Sequence, residues 1–155
     1  MFDQAELLAL PAQRLNDWRR HGSYRGLGYH VHSPEAFSVP ESEQMLRIAR
    51  APREANDNGL KFWIHAESLD DWGHRQEYFH PYLSSSRFRR MDEGEFNRLV
   101  AERTRELVVP LPLPLHPPTG YLGGLAMRAM EDDLIVSLFA EYEDEFIHAL
   151  WETTA

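Results

Sequence analysis

LIVSLFAEYEDEFIHALWET, residues 134–153, is the stretch whose reading decides the fold. Leu134, Val136, Leu138, Ala140 and Tyr142 alternate with Ile135, Ser137, Phe139 and Glu141, and Ile147, Ala149 and Trp151 alternate with Phe146, His148 and Leu150. Successive side chains of an extended chain point to opposite faces, so a period of two marks a strand. Two such runs flanking Glu143-Asp144-Glu145 predict an antiparallel hairpin. Upstream, Tyr121–Met130, interrupted at Gly123-Gly124, supplies another strand, with Glu131-Asp132-Asp133 as the turn between. The C-terminal third therefore reads as a β-meander.

This segment also holds most of the charge. From Ala129 to Ala155 there is no Lys or Arg, against eight carboxylates: Glu131, Asp132, Asp133, Glu141, Glu143, Asp144, Glu145 and Glu152. The whole chain has 16 basic and 25 acidic residues, a balance of −9; residues 1–128 carry 16 basic and 17 acidic residues. Such a balance disfavours nucleic acid, whose affinity comes largely from Lys and Arg at phosphates, and suits a basic protein partner. Glu131, Asp132, Asp133, Glu141, Tyr142, Glu143, Asp144 and Glu145 are accordingly the candidate partner-binding residues. Phe139, Tyr142, Phe146 and Trp151 are of the types that anchor interfaces. The competing reading makes them core residues, with the acids keeping an edge strand soluble.

The 155 residues, 43% apolar and 26% charged, suffice for one good core, and four Trp, six Tyr and eight Phe supply its bulk. There is no cysteine, hence no disulfide or thiolate zinc site. The opening MFDQAELL lacks a basic, then apolar, leader, and no run is long enough to span a membrane. The expectation is a cytoplasmic protein with no membrane role.

Before the meander, Asp3 with Glu6 has capping-box spacing, and Pro11 interrupts the leucine-rich run after it, predicting one broken helix or two short ones over 3–21. YRGLGYHVH (24–32) reads as a strand. SVPESEQMLRIARAP (38–52) reads as a helix with Met45, Leu46, Ile48 and Ala49 inward, REANDNG as a polar turn, and LKFWIHAE (60–67) as a strand with Leu60, Phe62, Ile64 and Ala66 on one face. Residues 68–91 show no period and are read as a long loop. Asp92 with Glu95 caps a helix over about 93–107. PLPLPLHPP (110–118) cannot be a central strand, since proline lacks an N–H, and is expected as an extended connector buried by its own leucines. The predicted architecture is one α+β domain over 1–155, an antiparallel sheet with a C-terminal β-meander packed against about three helices.

No nucleophile elbow, phosphate loop or dinucleotide fingerprint is present. His30 and His32 share a strand face, and with His65 they are the only basis for a small metal-dependent enzyme. Asp70-Asp71 with His74 is a weak acid–base grouping, and Ser84-Ser85-Ser86 with Arg87, Arg89 and Arg90 a weak anion grip. No cofactor is expected.

The chain resembles bacterial polymorphic-toxin immunity proteins. The likeness lies in its size and in MRAMEDDLIVSLFAEYEDEFIHALWETTA, roughly a fifth of the chain, a charged hairpin closing on an aromatic and small hydroxyl residues. The resemblance implies a non-catalytic, cytoplasmic α+β protein that blocks a cognate toxin by covering its active site, often presenting acids to a basic cleft. It carries no residue roles; the acidic candidates come from charge alone. An acidic regulatory or scaffold domain is the other protein-binding reading.

Overall fold

Six antiparallel strands form one sheet in the order β1-β2-β6-β5-β4-β3. The computed structural model describes residues 1–21, 24–69, 76–128 and 134–154. In chain order these give α1 (Gln4–Ala9), α2 (Ala12–His21), β1 (Gly28–His32), two 3-10 turns, β2 (Met45–Pro52), α3 (Leu60–Glu67), α4 (Gln76–Ser85), β3 (Arg87–Met91), α5 (Glu93–Thr104), β4 (Tyr121–Arg128), β5 (Ile135–Tyr142) and β6 (Glu145–Glu152). The meander β4-β5-β6 is the middle of the sheet, with the pair β1-β2 added beyond β6 and β3 beyond β4. The α+β architecture with a C-terminal meander stands.

Both faces of the sheet are covered. On one, Phe2, Phe62, Trp63, Tyr82, Phe139 and Phe146 join α1–α4 to the strands. On the other, Phe37, Phe96, Val100, Tyr142, Ile147 and Trp151 pack with α5, while Leu111 and Leu115 of the proline-rich connector lie against them. The alternation in 134–153 thus divides two cores rather than a core from water. Phe139, Tyr142, Phe146 and Trp151 are all buried, so they are core residues and not interface anchors. Nor is the hairpin an edge; β1 and β3 are the edges.

Three elements differ from their sequence reading. Residues 38–52 are not a helix: Pro40–Ser42 is a 3-10 turn and Met45–Pro52 is β2. Leu, Met, Ala and Arg favour helices, but pairing with β1 and β6 outweighs that propensity. Residues 60–67 are helix α3, not a strand. The helix is buried on nearly every side, so its apolar spacing reports no exposed face. Its start is marked locally by Asp57, which accepts from the Gly59 N–H at 2.8 Å, and Asn58, which accepts from the Leu60 N–H at 3.1 Å. The supposed loop 68–91 contains α4 and β3. The connector is less buried than expected: Leu113 is 44% exposed. Both predicted aspartate caps form, Asp3 accepting from the Glu6 N–H and Asp92 from the Glu95 N–H, each at 2.8 Å.

Candidate functional site

The tip of the β5–β6 hairpin is the acidic feature that the sequence singled out, and the fold fixes its backbone. The Glu143 N–H donates to the Gly120 carbonyl at 2.8 Å, and the Arg53 N–H to the Asp144 carbonyl at 3.0 Å. Arg53 Nε also reaches Glu141 Oε1 at 2.8 Å, and the N-terminal amine lies 3.6 Å from Glu141 Oε2. Glu141 is 3% exposed and Tyr142 is fully buried, so neither can present a side chain to a partner. That corrects their assignment as contact residues. Glu145 is half-buried, 3.8 Å from Arg50. Glu143 and Asp144 remain exposed. Glu131, Asp132 and Asp133 lie outside the described residues. Cations absent from the C-terminal segment are therefore delivered to it from β2, from the link after β2 and from the chain's start.

One further cation comes from the connector. The buried His116 ring stacks on Tyr142, with centroids 3.7 Å apart, and its Nδ1 and Nε2 lie 2.6 Å from the Pro117 carbonyl and 2.8 Å from Asp144 Oδ1. Both partners are acceptors, so both ring nitrogens must donate, which is the charged form. Burial alone would lower the His116 pKa, but the bonds to Pro117 and Asp144 outweigh it and raise it. Asp144 is in turn held below the usual carboxylate range, chiefly by His116. A raised imidazole stabilises the fold in full below its unfolded value and loses that contribution as pH rises through the folded one; a lowered carboxylate loses its contribution as pH falls. The stability gap between the native chain and His116→Gln should therefore shrink from about pH 6 to about pH 9. Thermal unfolding at the two values measures it, and an equal gap at both would remove the charged clamp.

α5 adds its own acids to this end of the sheet. Asp92, Glu93 and Glu95 open that helix, where carboxylates are favoured by the N-terminal dipole. Burial first, then these three carboxylates, raise the pKa of the Tyr121 hydroxyl, which donates to the Met91 carbonyl at 2.5 Å. Burial, then Glu93 and more weakly Glu145, do the same for Tyr142. Arg89 offsets part of the charge through Glu95, at 2.6 Å. Two segments far apart in sequence thus build one acidic end.

A polar cluster that sequence reasoning missed lies inside the other core. Glu67 Oε1 accepts from Ser137 Oγ at 2.6 Å and from His148 Nε2 at 2.9 Å, and Glu67 Oε2 accepts from the Tyr82 hydroxyl at 3.0 Å. Arg47 Nη2 donates to the Ala66 carbonyl at 2.8 Å, placing a cation at the end of α3 beside Glu67. Burial pushes the Glu67 carboxyl up, but His148, Ser137 and Arg47 together bring it below its ordinary value. The residue types are those of a Ser–His–acid triad, but the geometry is not. A triad imidazole bridges acid and serine through different nitrogens, whereas here Nε2 faces both. Glu67, Ser137 and His148 are each at most 1% exposed, so no substrate reaches them. The cluster is a structural lock. Its one sequence signal is three polar residues inside otherwise apolar runs.

The histidines proposed for a metal do not converge. His30 and His32 do pair, with ring centroids 4.6 Å apart. They stand on the face of the sheet shared by Ile48 and Leu46, their register partners, whereas His65 belongs to α3 in the opposite core. Among the described residues no group of three or more His, Cys, Asp or Glu side chains could hold a metal ion. Asp70, Asp71 and His74 lie outside the described residues. In the Ser–Arg segment only Ser86 is buried; Ser85 and Ser86 donate to the Tyr82 and Leu83 carbonyls and Arg87 to the Ser86 carbonyl at 2.9 Å, while Ser84, Arg89 and Arg90 are exposed. No helix among the described residues is long and apolar enough to cross a membrane. Compared with models of protein families, with curated proteins and with solved structures, the chain shows no match.

Proposed function

We propose that this protein is an immunity-type inhibitor that binds a cognate bacterial toxin domain and occludes its basic active-site cleft through the acidic end of the sheet. The observation that supports this reading is the exposed Glu143-Asp144 tip, its backbone held by Gly120 and Arg53 and its Asp144 carboxylate by His116. A preorganised charged turn meets a partner with little ordering cost, and complementary charge speeds the encounter. Asp92, exposed at the start of α5, widens the same acidic surface.

The test is co-expression with the toxin domain encoded beside its gene, read as rescued growth and as a co-purified complex. Failure of both sinks the reading. In the complex, Glu143→Lys should weaken affinity by about 10- to 100-fold and reduce its dependence on salt, with thermal stability unchanged. Glu143 is the residue to reverse because its carboxylate has no ion pair among the described residues, whereas Asp144 and Glu145 are engaged by His116 and Arg50. Unchanged affinity would move the interface away from the tip.

A further inference from the structure

Of the two edges of the sheet, one is guarded and the other is not. β3 carries Arg87, Arg89 and Arg90, and charged side chains are a common guard against pairing with another chain. β1, Gly28-Tyr29-His30-Val31-His32, has no Lys, Arg, Asp, Glu or Pro. Its register with β2 runs unbroken from Gly28 to His32, so no bulge turns it aside. The backbone groups on its outer side bond to nothing among the described residues. Gly28, Tyr29, His30 and Val31 are exposed, and since successive residues point to opposite faces the strand is wet on both. Tyr29 and Val31 are 55% and 45% exposed. An uncharged strand with unpaired N–H and C=O groups is a template for one more strand.

The flanks of β1 decide what that strand is. Exposed Arg25 precedes it and exposed Glu35 follows it, and the Arg25–Glu54 ion pair, at 3.5 Å, is open to water. Two β1 strands pairing antiparallel about a twofold axis at His30 bring the Arg25 end of each copy to the Glu35 end of the other. The same register sets Tyr29 of each copy opposite Val31 of the other, an aromatic–β-branched pair that the symmetry makes twice. Long-range charge agrees. Gly28 lies beside Arg50, at the end of the sheet that carries the Glu143-Asp144 tip, and His32 lies at the opposite end. Antiparallel copies therefore point their acidic tips in opposite directions, which keeps small the repulsion between two chains of net charge −9.

We propose that β1 pairs antiparallel with β1 of a second copy, joining the two sheets into one continuous sheet about a twofold axis at His30. The proposal is independent of the toxin-binding reading: the acidic tip stays free in the pair, and the test uses the isolated protein.

A five-residue strand buries little area, so the pair is a weak one. Sedimentation equilibrium should show monomers giving way to dimers with a dissociation constant of about 100 μM or below. Assembly should stop at two copies, because β1 is then used up and β3 is guarded. Hydrogen exchange read by NMR should show amides within Gly28–His32 gaining protection as concentration rises, with those of β3 unchanged. Val31→Glu acts twice across the axis and should weaken association by about tenfold or more. Its thermal stability should match that of the native chain, because Val31 is exposed and its register partner on β2 is Arg47. The exchange measurement needs no variant, so it stands even where Val31→Glu fails to fold. A chain that stays monomeric up to about 1 mM, a dimer without new protection in β1, or a dimer that Val31→Glu leaves intact would each overturn the proposal.

Discussion

Glu67→Ala should cost this protein about 3–5 kcal/mol of stability, the usual penalty for removing one member of a buried charged pair. The loss is large because of the groups left behind. His148 and Ser137 lose the carboxylate oxygen they share, Tyr82 loses its acceptor, and Arg47 loses the nearby negative charge. At this chain length the change corresponds to a fall in Tm on the order of 10 °C, measured by calorimetry or circular dichroism. The effect should also depend on pH. Because the folded carboxyl sits below its ordinary value, its contribution is present above the ordinary carboxylate range and disappears as pH falls through the folded value. The native chain and Glu67→Ala should therefore converge in acid. The double variant Glu67→Met with His148→Leu should recover only the part of the loss that comes from the orphaned imidazole, since Ser137, Tyr82 and Arg47 still lack the carboxylate. A single-variant loss under about 1 kcal/mol would show that the cluster is not a lock.

Gly59→Ala should cost about 3 kcal/mol for two reasons that add. Gly59 has φ +88°, which L side chains rarely adopt, and a Cβ placed there would stand 2.5 Å from Phe139 Cζ and 3.3 Å from Phe146 Cε1. Neither ring can retreat, because both are buried and pack on Phe62. Phe139→Leu placed on Gly59→Ala separates the two causes. The steric part should be relieved and the double variant should lose less than the sum of the singles, as denaturant unfolding would reveal. Strict additivity would leave the backbone as the whole cause.

Much of the candidate site was legible as composition and little of it as geometry. The concentration of carboxylates after residue 128 is plain in the chain, as is the hairpin that carries them. Their pairing is not. Arg53 lies 88 positions from Glu141, and His116 lies 28 from Asp144, so no local pattern could show that these acids are partly neutralised. Glu67, Ser137 and His148 each read as an unremarkable polar residue, and only folding brings them within 3.2 Å of one another.

By itself the sequence determined the elements whose information is local. Aspartate side chains at positions 3 and 92 start helices because each can accept from the N–H three residues on, and Leu134–Thr153 folds as a hairpin because its alternation and its polar turn agree. Tertiary structure alone decided β2 and α3. Both are buried nearly all round, so neither has a wet face against which a period could be read, and their helix or strand propensities were overridden by the elements they pack against. It also decided which acids face water. Glu141 and Glu145 were drawn toward cations from other segments, leaving Glu143 and Asp144 at the tip, because a carboxylate is buried only where another part of the chain supplies its counter-charge.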